Sequence, residues 1–289
     1  MLWWSKTRAS YREAFCELFG TLILVLFGNG VVAQVVLSNY QKGNYQSISW
    51  GWGLGCMLGV YVSLPSGAHL NPAVTFAHCL FRKHPWHKWP TYALAQLLGG
   101  MCAAAIVYGN YKSAIDVYEG GPNIRTVPGY SATASGGIFC TYPAEFMTRT
   151  GMFFSEFLAS AILQFVVFAV SNRFNVADSH MLPLTLFFTI FGIGACFGWE
   201  TGYAINLARD FGPRLVSYML GYGPEVWKAG NYYFWIPLIV PFLGCAFGGF
   251  LYDVFLYVGP DSPINTPYMG IRGLLRPAPL KQIHAQTPV

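Results

Sequence analysis

The feature that most constrains this chain is a phrase that occurs twice. SGAHLNPAV at residues 66–74 returns as GYAINLARDFGPR at residues 202–214, with Leu207 standing where the first copy has Pro72. Each copy opens a short apolar stretch, 72–81 and 207–220, at an Asn whose side-chain oxygen can cap first-turn amides. Ten helical residues at about 1.5 Å each reach only about half of a 30 Å hydrocarbon layer. Two such half-helices inside a membrane must be buried in protein or line a watery path, so they imply a pore or a central binding site.

Composition supplies the membrane. Of the 289 residues, 54% are hydrophobic and 10% charged, and the charges thin out over six apolar stretches at 14–37, 48–64, 89–109, 152–170, 182–199 and 232–258. These are close to the roughly 20 residues that a crossing helix needs. None shows a short alternating strand pattern, so an all-α membrane protein is expected rather than a barrel. Lys6, Arg8 and Arg12 precede the first stretch, Arg82, Lys83 and Lys88 the third, and Arg272, Arg276 and Lys281 follow the last, which places both termini in the cytoplasm. The first span reads as its own insertion signal, since no short apolar region with a small-residue cleavage site precedes it.

The rest of the chain repeats as well. Glu17 in CELFGTLILVLF matches Glu156 in SEFLASAILQFV, and each is followed at similar distance by its Asn, Asn71 or Asn206. One unit is span, span, half-helix, span. Three crossings per unit force the second unit to enter from the opposite side, giving two inverted repeats at about 14–110 and 151–258. The half-helix N-termini then meet near the midplane. An outer loop, 111–150, rich in Gly, Pro and Ser, joins the repeats, and tails at 1–13 and 259–289 flank the channel domain 14–258. The net charge of +5 is split among loops, so nucleic acid is not an expected partner. The seven Cys and six His have neither disulfide-framework nor metal-site spacing, and no nucleophile motif or phosphate loop is present. No enzyme, metal or cofactor is expected.

At these residues the chain resembles the major intrinsic protein family, the aquaporins and aquaglyceroporins, over about residues 12–257. The glycerol-conducting branch is the closer match, because Asp210 follows Arg209, Arg214 stands four positions later, Pro237 and Leu238 fall in the last span, and Tyr111 matches an aromatic position of that branch. The resemblance implies six transmembrane helices plus two re-entrant half-helices, a homotetramer in the plasma membrane, and a passive pore for glycerol, small neutral polyols and water. It also implies a constriction of Trp52, Gly194, Tyr203 and Arg209. A water-selective pore is the nearest alternative; a coupled secondary transporter and a closed-pore scaffolding protein are rivals of another kind.

The residues themselves suggest roles. Glycerol has a carbon edge and a hydroxyl edge, so Trp52 and Tyr203 suit an apolar wedge, and Gly194 would leave width where a His would narrow the path. Extended backbone at Gly67, Ala68, His69 and Leu70, and at Gly202, Ala204 and Ile205, can present a ladder of carbonyls. Arg209 sits in the first turn of a half-helix, where the dipole disfavours a cation, so its placement asks for a functional reason: donating to hydroxyls and repelling cations. Asn71 and Asn206, opening the starts Asn71–Pro72–Ala73 and Asn206–Leu207–Ala208, would both cap and donate to a passing oxygen. Asp210 with Arg214 at i+4 reads as structural. Glu17 and Glu156 read as acceptors for loop amides behind the half-helices, and His69 as contributing its backbone carbonyl, an acceptor, to the ladder. His78 reads as packing or a lipid contact.

Overall fold

The computed structural model describes residues 2–172, 181–260 and 262–266, and these are helical with no strand. The cationic positions Arg272, Arg276 and Lys281 lie outside the described residues, as does the tail from 267 onward. A short helix α1 (Trp3–Ser10) occupies what the sequence suggested as a plain tail. The first repeat then runs α2 (Arg12–Leu37), α3 (Tyr45–Ser63), the half-helix α4 (Pro72–Phe81) and α5 (Trp89–Tyr118). The second runs α6 (Arg149–Ser171), α7 (Leu182–Phe197), the half-helix α8 (Leu207–Ser217), a short broken helix α9 (Glu225–Tyr232) and α10 (Trp235–Phe255).

Local chemistry sets these boundaries. Asn44 accepts from Ser47 N while Ser47 Oγ accepts from Asn44 N, a reciprocal cap that starts α3 three residues before its apolar run. Thr148 Oγ1 accepts from Gly151 N and starts α6. The third span is longer than expected: α5 continues past Gly109 to Tyr118, so Tyr111 is helical and the outer loop begins near residue 119. Helix formers and the Lys112–Asp116 pair at i+4 carry the helix out beyond the apolar stretch. The second half-helix is shorter than 207–220, because α geometry ends at Ser217 and a wider turn over Tyr218–Tyr222 closes on Gly221 at φ 96°. Among the described residues, five helices are long and apolar enough to cross a membrane. The apolar helix α7 is shorter, at 16 residues, and begins one residue after 173–180, which lie outside the described set.

Packing follows the repeat. In each half the first span packs on the second and on the last: α2 on α3 and α5, α6 on α7 and α10. The half-helices cross over, α4 against α10 and α8 against α5. Small residues permit this closeness, as expected where lipid offers no hydrophobic drive between helices. A Cβ on Gly99 would collide with the Leu18 carbonyl, and one on Gly244 with the Phe157 carbonyl, the corresponding place in the second repeat. A wider side chain at either position would push a last span off its partner and open the wall that supports the opposite half-helix.

Candidate pore

The loops before the half-helices are strained in the same way. Gly67, Ala68 and Leu70 have φ of 95°, 55° and 54°, and Gly202, Tyr203 and Ile205 have φ of 76°, 39° and 44°. Only the glycines adopt such angles freely; for β-branched Ile205 the cost is of order 1–3 kcal/mol. Two buried carboxylates hold this backbone. Glu17 accepts from Ser66 Oγ at 2.6 Å, His69 N at 3.0 Å, Leu70 N at 2.8 Å and Gln96 Nε2 at 2.7 Å. Glu156 accepts from Thr201 Oγ1 at 2.8 Å, Ala204 N at 2.9 Å, Ile205 N at 2.8 Å and Tyr233 OH at 3.2 Å. With four donors each, both acids are fully engaged, and an alternating backbone that sends its carbonyls elsewhere becomes affordable.

The two half-helices meet through their caps. Asn71 Oδ1 accepts from Ala73 N at 2.9 Å, and its Nδ2 donates to Ile205 O of the other repeat at 2.8 Å. Asn206 Oδ1 accepts from Ala208 N at 2.9 Å and Arg209 N at 3.2 Å, and its Nδ2 donates to Leu70 O at 2.8 Å. Each amide thus spends one hydrogen across the junction and keeps one. Consequently Leu70 and Ile205 are not free rungs of a carbonyl ladder: each carbonyl already accepts from the opposite Asn. Ala73 and Ala208 are fully buried behind the caps.

A cavity of about 750 Å³, open solvent at its mouths included, runs along this junction. Asn71 and Asn206 face it with Gly67, Ala68, His69 and Ala204, but Gly202 does not. Toward one end stand Trp52, Tyr203 and Arg209, with the Arg209 guanidinium carbon 4.0 Å over the Trp52 ring. Trp50, two residues earlier, instead turns outward onto Phe187 and Phe191. Arg209 is 7% exposed, and among the described residues its guanidinium donates to no protein acceptor, so its N–H groups remain available. Stacking on an aromatic face steadies the cation without consuming a donor.

Gly194 is placed differently from the expectation. It is buried but forms no part of the cavity wall, and a Cβ there would lie 2.8 Å from the Tyr203 ring. Its missing side chain makes room for Tyr203, not for a passing solute. The Gly194 carbonyl accepts from Tyr45 OH at 3.2 Å, which holds this end of α7 against the start of α3. Asp210 accepts from Thr141 N and Oγ1 at 2.6 and 2.7 Å and from Arg214 Nε at 3.1 Å, while Arg214 donates to Val226 O at 2.7 Å. This clamp ties the outer loop to the second half-helix.

At the other end the cavity is lined by His69 and His78, whose rings stack at 4.4 Å. His78 therefore lines the path and also packs, its ring meeting Phe168 edge-on at 5.2 Å. Its position was legible: Val74 and His78 lie four apart on α4 and share the cavity face. His69 Nδ1 lies 3.1 Å from Thr75 Oγ1. Cys56 also lines the wall, unmarked by any motif.

Two half-helices joined cap to cap inside a bundle of crossing helices, with a cavity along the junction, define a membrane pore protein. The family model described as Major intrinsic protein matches residues 4–252, and the chain belongs to that family. It is an integral membrane protein of the aquaporin fold, and not an enzyme. Over 274 residues it is 73% identical to a protein named "Probable aquaglyceroporin-2" from Gibberella zeae, covering 95% of this chain and 81% of the relative. It is 67% identical over 274 residues to "Aquaglyceroporin-9" from Botryotinia fuckeliana, covering 95% of this chain and 60% of that one. Among solved structures it is similar to the aquaglyceroporin from Plasmodium falciparum at 30% identity and a TM-score of 0.75, covering 85% of this chain and 97% of that chain.

Proposed function

We propose that this chain is a passive channel for glycerol and other small neutral polyols, with water passing too and protons and ions excluded. The observation that carries the proposal is the two-sided wall at Trp52, Tyr203 and Arg209. The rings face a carbon edge, while the unspent guanidinium donors face hydroxyls. Along the path the free hydrogens of Asn71 and Asn206 and the carbonyls of Gly67, Ala68, His69 and Ala204 continue that polar edge. The half-helix dipoles point their positive ends at the junction, and with Arg209 they set a barrier to cations and reorient water so that a proton wire breaks.

A coupled transporter would need an acid free to take and release a proton. Glu17 and Glu156 are each held by four donors, which argues against that role. In this reading the protein works as a homotetramer in the plasma membrane, with both termini in the cytoplasm. Glycerol and water fluxes measured side by side in proteoliposomes test it. Both should be fast, non-saturating at low solute and indifferent to a proton gradient. Water flux without glycerol flux would instead establish a water-selective pore.

A further inference from the structure

Among the described residues, helix α1 is held by almost nothing. None of its eight residues is buried, and Leu2, Trp3 and Trp4 are 80%, 77% and 53% exposed. A helix this short is marginal in water, where isolated helices need about 12–15 residues. Its tertiary anchor is the contact of Trp4 with Phe15, ring centroids 6.0 Å apart, at the start of the first span. Only Tyr11 separates α1 from α2, so the helix lies at the level where the bilayer surface must be.

Its composition suits that level. At 100° per residue, Trp3, Thr7, Tyr11 and Trp4 fall on one arc, with Arg8 and Lys6 on its two flanks. Tryptophan and tyrosine are amphipathic rings favoured at headgroup depth, and flanking cations reach past them to the phosphates. Lys6, Arg8 and Arg12 are exposed, none is in an ion pair among the described residues, and no acid precedes Glu13. The first acid after the helix, Glu13, is already paired with Lys88 at 2.7 Å.

We infer that α1 is an interfacial helix whose partner is an anionic bilayer surface: the aromatic arc seats at the headgroups, and its two cations, Lys6 and Arg8, select negatively charged lipid. For its cellular setting this rests on the cytoplasmic N-terminus proposed above, since that leaflet carries the anionic lipids. The attraction fades with salt within a Debye length.

Hydrogen exchange of the full chain in lipid nanodiscs tests it, because both faces of a disc carry the same headgroups and the result does not depend on orientation or on which solute permeates. Amides of residues 4–11 should exchange about tenfold more slowly in discs containing phosphatidylserine than in pure phosphatidylcholine. The double variant Lys6→Gln, Arg8→Gln should abolish that difference while solute flux stays intact, which certifies the fold. Equal exchange in the two lipids, or a difference that survives the double variant, overturns the inference.

Discussion

The two half-helices invite comparison, because they share a backbone, a capping Asn and a supporting acid but differ in the side chains they turn to the cavity. Their cap residues have nearly the same angles, φ −151°, ψ 122° at Asn71 and φ −154°, ψ 114° at Asn206. Each is preceded by the same run of left-handed residues and supported by an acid that engages the two corresponding amides. The side chains then diverge. Where the second half presents Arg209 to the path, the first presents Val74; where the second is clamped to the outer loop by Asp210 and Arg214, the first carries the His69–His78 stack. The difference teaches that the duplicated element is a piece of backbone chemistry, on which each half carries different side chains at a few positions.

The largest expected effect falls on the shared element. Glu17→Ala and Glu156→Ala each strand at least two buried amides, at about 1–3 kcal/mol per unsatisfied donor, so both should lose solute flux and lower the thermal unfolding temperature in detergent. Similar losses in the two variants would support the equivalence of the repeats. A variant that keeps full flux and stability would break it.

Next come the side chains that differ. Arg209→Ala should widen the path beside Trp52 and raise proton and small-cation leak in voltage-clamped cells or loaded vesicles. Val74→Ala, its counterpart, should leave leak at background. Leak from both, or from neither, would remove electrostatic exclusion from Arg209.

A smaller, more selective effect is expected at Gly194. Because the space beside it is filled by Tyr203, Gly194→His should drive the Tyr203 ring toward the path, cutting glycerol flux several-fold more than water flux. The paired variant Gly194→His, Tyr203→Ala should recover part of the glycerol flux. Unchanged glycerol flux in well-inserted Gly194→His would separate this position from the constriction altogether.

The smallest effect sharpens the comparison most. Leu207 restores an amide that the helix start cannot satisfy internally and gives up the fixed φ that Pro72 supplies in the first half. Asn206 compensates in part, since its oxygen accepts from two amides where Asn71 accepts from one. Leu207→Pro should therefore gain only about 0.4–1 kcal/mol in stability and keep glycerol flux within a few-fold of the parent. Asn206→Ala, by contrast, should lose most flux. Glycerol flux in Leu207→Pro with none in the parent would mean that Leu207 closes the pore.

Much of this was legible in the chain. The repeated phrase, the acid-to-Asn spacing and the apolar runs announced two inverted halves and two half-helices, because backbone in hydrocarbon has so few ways to satisfy its polar groups. Trp52, Tyr203 and Arg209 followed from the resemblance, and the structure brings them together at one end of a cavity. The misplaced details share a cause. Gly194 looked like an open space, but an absent side chain does not say what fills the gap; Leu70 and Ile205 looked like free carbonyls, but their acceptors are taken from the other half of the chain.

Sequence by itself determined what each segment must do locally: which stretches cross, where an Asn starts a helix, where an acid is stranded at depth and must find donors. Those are choices fixed by short-range sterics and by the cost of burying an unpaired polar group. Tertiary structure decided who meets whom. Tyr203 seated beside Gly194, Arg209 laid on Trp52, and Asn71 and Asn206 exchanging bonds across the junction all join residues distant in the chain. Such partners are selected by the fit of packed helices in three dimensions, which periodicity along one dimension does not encode.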